Sequence, residues 1–453
     1  MAPAWSTIPL LPLSCILEHL DTKDALSAMS TCRHWRNAIL LYEGHKETLK
    51  LQAKQLEKNL FVGRIFRKHT HKLHIYIDCN DSELDKFMHF VLPQFLDTER
   101  LHELVFVGPG YVQQNSNLPT VKLNRIITET LIFKHKRFLR KLSLLGCALD
   151  SVSNDDDRFV HKQVELYSRS LKFNKVPFPG DAILARCNSY AFAYYHLQHL
   201  ICDYSQLSTE CLSTLSGLAS LRLISAMVRR GAWRPVDWGV IPGVEVGVNI
   251  VSLPYRKLEE VMENILVEDL PLVSLKVMFC DVLYPRLLRH VSSLYKSRLR
   301  EVVWVDSPLA ENRHKSHTHA VADAGGANPF ILLCWQCQKL ARLVIHGYWV
   351  WQYDLLGVVR LSPAALALEV SAVFARRPPA AAASLARVLP HHAPAPLDTR
   401  YVTEINSQAK WSRWWRPLAW SELHPGLRAR ASRRDRRDYL LAELAAGLQK
   451  YTH

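Results

Sequence analysis

One spacing of leucines recurs along the chain and constrains its fold more than any other feature. The fullest copy, Leu-x-x-Leu-x-Leu-x-x-Cys-x-Leu, begins at Leu139. Further copies begin at Leu197, Leu218 and Leu272, and weaker ones at Leu101, Leu299 and Leu340. The alternating leucines predict a short strand with one buried face, and the small or Cys position after them predicts a turn. Because no such unit can bury its own apolar face, the units must stack on one another.

The spacing is similar to the leucine-rich-repeat consensus, in which a strand is followed by a helical return segment. Return helices are expected at Ser82–Leu96, Tyr255–Leu266 and Pro285–Tyr295. The copies are irregularly spaced, however, and the same leucine pattern also arises by chance in α/β domains with amphipathic strands. The sequence therefore leaves two alternatives open, an interrupted repeat solenoid and an ordinary α/β domain.

A second constrained stretch, residues 8–36, predicts two short amphipathic helices. The first has apolar side chains at positions i, i+3, i+4 and i+7, namely Leu13, Ile16, Leu17 and Leu20. The second starts near Asp24 and carries an apolar stripe of Leu26, Met29 and Cys32. A segment this short has too little surface to bury a core of its own. It must dock on the rest of the chain or offer its apolar side to another protein.

The same stretch resembles an F-box. Ile8-Pro9 stands for the Leu-Pro that opens an F-box, and the second helix closes on Cys-x-x-Trp-Arg at residues 32–36. One position departs from the pattern, because an F-box usually has a tryptophan about ten residues after the Trp-Arg pair and this chain has Lys46 there. The alternative is a helical hairpin that packs on a larger domain of the same chain.

The resemblance implies a non-catalytic substrate receptor of an SCF-type (Skp–cullin–F-box) ubiquitin ligase. Its partners would be a Skp-type adaptor, through the adaptor a cullin and a RING protein, and an unidentified protein substrate marked for proteasomal degradation. The implied adaptor-binding residues are Ile8, Pro9, Leu13, Ile16, Leu17, Leu20, Leu26, Trp35 and Arg36. Within this set, Trp35 would hold the two helices together with Cys32, and Arg36 would lie at the rim.

The resemblance extends beyond this stretch to a particular F-box-only protein, over residues 8 to about 370. It is most specific from Asn328 to Leu340 and onwards through Leu361, and less specific around Cys280–Tyr284. We therefore expect an α/β chain with a helical F-box followed by a leucine-rich-repeat-like solenoid of parallel strands and helices. The expected domains are residues 1–52, the F-box; 53–400, the substrate-binding domain; and 401–453, a basic, Trp/Arg-rich cap or tail.

The positive charge of the chain is concentrated in its last fifty residues. Lys and Arg outnumber Asp and Glu by 57 to 42, and eight of the arginines lie between Arg413 and Arg437. Four tryptophans lie among or near these arginines, at Trp411, Trp414, Trp415 and Trp420. Such a segment can bind nucleic acid or cap the end of a solenoid. We favour a cap that ends in an amphipathic helix, and nucleic-acid binding stays as the alternative function.

Compartment and chemistry follow from what the sequence lacks. The ten scattered cysteines are typical of a reducing compartment. The sequence has neither an evident secretory signal nor an apolar run long enough to span a membrane, so we expect a cytoplasmic or nuclear protein. Cys334-Trp-Gln-Cys337 lacks a second ligand pair, and the histidines at 314–319 lack a rigid frame. We expect no catalytic residues, no cofactor and no metal.

Three segments are predicted to be loops or linkers. They are the acidic run 152–157, the His-rich run 312–328 and the Ala/Pro-rich run 378–396.

Overall fold

The computed structural model describes residues 5–20, 22–42, 48–77, 83–108, 121–149, 196–228, 233–280, 283–306, 328–363, 366–374, 424–428 and 431–450. Within these residues the chain forms two compact units. The first comprises residues up to 201 together with 217–221, and the second comprises 202–216 together with the chain from 222 onwards. The predicted loops 152–157 and 378–396, the histidines at 314–319 and the four tryptophans at 411–420 lie outside the described residues.

The first unit begins with three short helices and continues as a parallel sheet. The helices are α1 (Leu10–Glu18), α2 (Thr22–Met29) and α3 (Arg33–Leu41). The strands are β1 (Thr48–Gln52), β2 (Lys72–Tyr76), β3 (Glu103–Val107), β5 (Lys141–Leu145) and β7 (His199–Asp203), paired in that order. A separate parallel pair is formed by β4 (Val121–Leu123) and β6 (Cys147–Leu149). Helices α4 (Leu56–Phe66) and α5 (Arg125–His135) connect strands, as does a helical segment from Leu84 to Asp97.

The second unit repeats this arrangement with longer strands. Its parallel strands pair in chain order and are β8 (Leu223–Val228), β9 (Glu245–Val251), β10 (Leu272–Met278), β11 (Glu301–Val305), β12 (Arg342–Trp351) and β13 (Ala367–Phe374). The helices are α6 (Thr209–Leu215), α7 (Tyr255–Asn264), α8 (Pro285–Leu294), α9 (Pro329–Gln336), α10 (Gln352–Leu361) and α11 (Arg433–Lys450). Crossover helices between consecutive parallel strands are required because parallel neighbours cannot be joined by a tight turn.

The predicted leucine pattern coincides with strands throughout. In five of the copies a strand begins two residues after the first leucine. These are the copies at Leu101, Leu139, Leu197, Leu299 and Leu340. The copies at Leu218 and Leu272 contain β8 and β10. The expected return helices are also observed, although the first is a mixed α, π and 3-10 segment. An α/β chain with parallel strands and helices is therefore confirmed, and the repeat solenoid stays a prediction.

Five strands, β1, β2, β4, β9 and β13, lie outside the predicted copies. Strand β9 alternates Val246, Val248 and Ile250 on one face, so valine and isoleucine replace the leucines of the pattern. Strand β2 alternates Leu73 and Ile75 between polar residues. The period of two would have found both strands, whereas a search for leucine alone does not.

Backbone geometry in β12 depends on one glycine. Gly347 has φ +82°, and a Cβ at this position would collide with the carbonyl oxygen of Asp306 at the end of β11. This close approach needs a residue that lacks a side chain and tolerates a left-handed backbone.

We expect Gly347→Ala to lower the free energy of unfolding by about 2 kcal/mol, because it adds both a clash and a strained φ. Gly243→Ala should cost about 1 kcal/mol, since Gly243 has φ +85° but open space around its Cβ position. Gly217→Ala, with open space and no left-handed φ, should be neutral. Urea denaturation of the three variants checks this order, and equal losses at 347 and 217 would contradict it.

Candidate functional site

Helix α3 is tied to both ends of the helical stretch before it. His34 Nε2 lies 2.6 Å from the Ile8 carbonyl oxygen, and Trp35 Nε1 donates to the Trp5 carbonyl oxygen at 2.9 Å. Arg36 Nε donates to the Met29 carbonyl oxygen at 3.3 Å, which joins α3 to the end of α2. Three consecutive side chains thus hold the entry segment and α2 on α3. Such side-chain bonds compensate for the small core that about 35 residues can form.

The core of this three-helix unit is small and apolar. Leu13 and Leu17, four residues apart on α1, are fully buried. The other buried side chains are Ala25, Met29, Ala38 and Ile39. The pair on α1 is therefore part of the unit's own core, and it offers no surface to another molecule in this conformation.

A second apolar surface of α1 and its entry segment faces solvent. The side chains of Leu11, Trp5 and Leu10 are 82%, 66% and 51% exposed, and Pro9, Pro12 and Cys15 are exposed as well. Exposed apolar residues that cluster on one element mark an interaction surface more often than singly scattered ones do. We call Trp5, Pro9, Leu10 and Leu11 the exposed apolar strip.

The structure separates the nine predicted adaptor-binding residues into three groups. Leu13 and Leu17 are buried, whereas Pro9 and Arg36 are exposed. Half-buried positions are Ile8, Ile16, Leu20, Leu26 and Trp35. Contact of any of them with an adaptor stays a prediction. Position 46, where the expected tryptophan is replaced by Lys46, lies outside the described residues.

Sequence reasoning missed Trp5, Leu10 and Leu11 because it followed a single helical face. The signal was present, since α1 is apolar almost all around, with Leu10, Leu11, Leu13, Ile16 and Leu17 in nine residues. Helices with apolar residues on every side are typical of buried positions. Helix α1 departs from this, because it leaves Leu10 and Leu11 exposed.

A second candidate site lies in the other unit, where α11 meets the sheet. Glu443 of α11 accepts two hydrogen bonds of 2.8 Å from the guanidinium of Arg342 on β12, one to each carboxylate oxygen. Lys276 on β10 donates to the carbonyl oxygen of Glu443 at 2.6 Å and to its Oε2 at 3.2 Å. On β11, Glu301 Oε1 accepts from Arg342 Nη1 at 2.8 Å, and its Oε2 accepts from Ser274 Oγ at 2.7 Å.

These charges are removed from water together. The side chains of Lys276 and Glu301 are 3% and 5% exposed, and those of Arg342 and Glu443 are 9% and 10% exposed. Burial by itself raises the pKa of Glu443, but the bonds and charges of Arg342 and Lys276 outweigh burial and lower the pKa to about 2. The pKa of Glu301 is lowered by the same two cations against the effect of burial. Both carboxylates are therefore ionised at neutral pH.

A half-buried carboxylate borders this cluster. Glu369 on β13 lies 3.6 Å from Arg342 Nη2 and 3.8 Å from His346 Nε2. We call Lys276, Glu301, Arg342 and Glu443 the buried charge cluster.

Both thiols of the Cys-x-x-Cys pair lie in buried surroundings. Helix α9 ends at Gln336, and Cys337 follows as its C-cap. The thiols of Cys334 and Cys337 are free and fully buried. Burial raises the pKa of Cys334, and it raises the pKa of Cys337 to about 12. Redox and metal-binding thiols need the opposite shift, because the thiolate is the reactive form.

Among the residues that the structure describes, no group of three or more His, Cys, Asp and Glu side chains is arranged to hold a metal ion. No helix in the same part of the chain has the length and apolarity needed to cross a membrane.

Comparison with known proteins identifies the domain formed by helices α1 to α3. Residues 5–45 match the profile of the F-box domain family. The chain contains an F-box domain. Over 41 residues it is 44% identical to F-box only protein 33 of Homo sapiens and, equally, of Mus musculus. These matches cover 9% of this chain and 7% of the length of either relative. The wider resemblance expected up to residue 370 lies outside the matched segment and stays a prediction.

The F-box domain should owe its stability to its buried leucines and not to its exposed ones. We expect Leu17→Ala to lower the free energy of unfolding of this unit by about 3 kcal/mol, because it leaves a cavity in a fully buried position. Leu11→Ala is the matched control, with an expected change within about 0.5 kcal/mol. Amide hydrogen exchange in α1–α3 measures both, and an equal loss of protection in the two variants would be the wrong result.

The buried charge cluster should make stability depend on pH through Glu443. Its folded-state pKa is lowered from 4.5 to about 2, so its contribution is present above pH 4.5 and is lost as the pH falls towards 2. At neutral pH the free energy of unfolding of the wild type should exceed that of Glu443→Gln by about 3 kcal/mol. The difference should shrink steadily below pH 4.5 in urea denaturation. A difference that stays constant from pH 7 to pH 3 would show that the carboxylate is not the cause.

Proposed function

We propose that this protein is the substrate-recognition subunit of an SCF-type ubiquitin ligase. The observation that supports the proposal most directly is the F-box domain at residues 5–45, together with the apolar strip it leaves exposed. F-box domains act as adaptor modules that bind a Skp-type protein. Through that adaptor the chain would join a cullin and a RING protein.

The adaptor-binding surface is inferred from exposure. Leu11, Leu10 and Trp5 present the largest exposed apolar side chains of the F-box, and Pro9 lies beside them in the chain. Half-buried Ile8, Ile16, Leu20 and Leu26 would border this strip, with Arg36 and Trp35 contributing from α3. Leu13 and Leu17 would act indirectly, because they hold α1 in place from below. Interfaces depend on a few such apolar anchors that become fully desolvated.

The remainder of the chain would select the substrate. Parallel strands that follow one another in chain order, with helices between them, are what a leucine-rich-repeat-like solenoid requires, and they support that proposal. The strand face and its edge loops would hold a protein substrate close to a ubiquitin-charged enzyme on the ligase. The contribution of this chain is then effective concentration and orientation, without catalytic residues of its own. Ubiquitination would lead to proteasomal degradation, in the cytoplasm or the nucleus.

Adaptor capture tests the proposal. The full chain should retain a purified Skp-type adaptor on a pull-down resin, and Leu11→Asp should weaken retention by about tenfold or more, because a charge replaces a central apolar anchor. The matched control is Phe61→Asp on α4, which alters an equally apolar and 55% exposed side chain outside the F-box. It should retain the adaptor as the wild type does.

Two results would count against different parts of the proposal. A wild-type chain that fails to capture the adaptor overturns the ligase function. A Leu11→Asp chain that captures it normally leaves the function standing but removes the exposed apolar strip as the binding surface.

A further inference from the structure

The contact between α11 and the sheet has the chemistry of a recognition site. Arg342 engages both oxygens of one carboxylate in the two-pronged geometry that distinguishes arginine from lysine. Lys276 contacts the carboxylate and the backbone carbonyl of the same residue. The two cations therefore specify a carboxylate side chain at one defined position of a helix.

The sheet supplies this site from one face of three neighbouring strands. Ser274 of β10 is opposite Glu301 of β11, and Glu301 is opposite Arg342 of β12. Lys276 and His346 follow on the same face, since side chains two residues apart in a strand point the same way. The opposite face holds apolar residues such as Val302, Trp304 and Leu343. Helix α11 thus packs on the face that carries these polar side chains, which also holds Val303 and Val344.

Stability alone is a weak reason for such a contact. Buried ion pairs recover little more than their cost of desolvation, and apolar side chains of similar size stabilise a packed helix as well or better. Helix α11 already has apolar anchors in Tyr439, Leu440 and Leu444, all of which are buried. The charges of Glu443, Lys276 and Arg342 add selectivity for what lies on the sheet.

The balance of charges in the buried charge cluster indicates which kind of group the site accepts. With Glu443 in place, two cations face two carboxylates within the buried charge cluster. Without Glu443, Lys276 and Arg342 share Glu301, and Arg342 has the half-buried Glu369 beside it at 3.6 Å. The bidentate position on Arg342 is then open to another carboxylate.

We propose that Lys276 and Arg342 form a binding site for an acidic helical segment of a protein substrate, and that α11 occupies this site as a built-in competitor. The proposal deepens the substrate-receptor function and rests on it for the identity of the partner. The fitting segment is a helix with a Glu and an aromatic residue four positions before it, as in Tyr439 and Glu443. Binding would displace α11, so the substrate must outcompete a helix of the same chain.

A labelled peptide with the sequence of residues 433–450 serves as the probe. It would be titrated by fluorescence anisotropy into the full wild-type chain and into a full-length release variant, Tyr439→Ala with Leu440→Ala and Glu443→Gln. The release variant weakens the hold of α11 and keeps Lys276 and Arg342 intact. We expect it to bind the peptide at least about tenfold more tightly than the wild type does, because the tethered competitor is weakened.

The carboxylate is tested by a matched peptide that carries Glu443→Gln. This peptide should bind the release variant about 10- to 100-fold more weakly, since it loses the charged, bidentate bond. Arg342→Lys in the release variant should weaken binding of the unmodified peptide in the same way and leave binding of the Gln peptide little changed. Equal binding of the two peptides, or equal binding by wild type and release variant, overturns the proposal.

Folding is checked in the same proteins. If the release variant loses cooperative unfolding, α11 is an integral part of the fold and the proposal fails. A second measurement uses the unaltered wild type, in which excess unlabelled peptide should accelerate amide exchange in residues 433–450. Unchanged exchange also overturns the proposal.

Adaptor capture by the release variant keeps the two functions apart. If the peptide binds and no adaptor is captured, the ligase function falls while the carboxylate site stands.

Discussion

A parallel strand can pair with the next strand of its chain only after a crossover, and this requirement organises both units of the protein. Consecutive parallel strands of each unit are separated by a connecting segment, for which helices such as α7 and α8 provide the return. The return helices bury their apolar side chains, among them Leu258 and Val261 of α7 and Leu287 and Val291 of α8. The leucine pattern recurs along the sequence with variable spacing because each new strand meets this same requirement.

The F-box domain differs from the sheet, because its local structure is well specified while part of its apolar surface stays exposed. Its three helices bury Leu13 and Leu17 and are tied together by His34, Trp35 and Arg36. The same helix that supplies the core also exposes Leu10 and Leu11. Exposed apolar side chains on a helix that also supplies the core are the physical basis for proposing this domain as an attachment point.

Buried polar groups in the second unit are the basis of the partner site proposed above. Lys276, Glu301, Arg342 and Glu443 are each less than about a tenth exposed, yet every one of them has an oppositely charged neighbour within 4 Å. With α11 in place, two cations face two carboxylates within the cluster, and Glu369 lies 3.6 Å from Arg342 outside it. Charged side chains on this sheet face require a partner of defined charge and position, whereas apolar side chains do not.

The sequence by itself determined the element types and the F-box. Spacing and alternation fix where an apolar face lies, so the strands after Leu101, Leu139 and Leu340 and the helices at 255 and 285 could be predicted from local pattern alone. The strand at 245–251 escaped only because valine and isoleucine replace leucine there. Tertiary structure alone decided that Leu13 and Leu17 face inward while Leu10 and Leu11 face solvent. It also brought Lys276 to Glu443, 167 residues away, because no local pattern records which distant charges a fold will bury together.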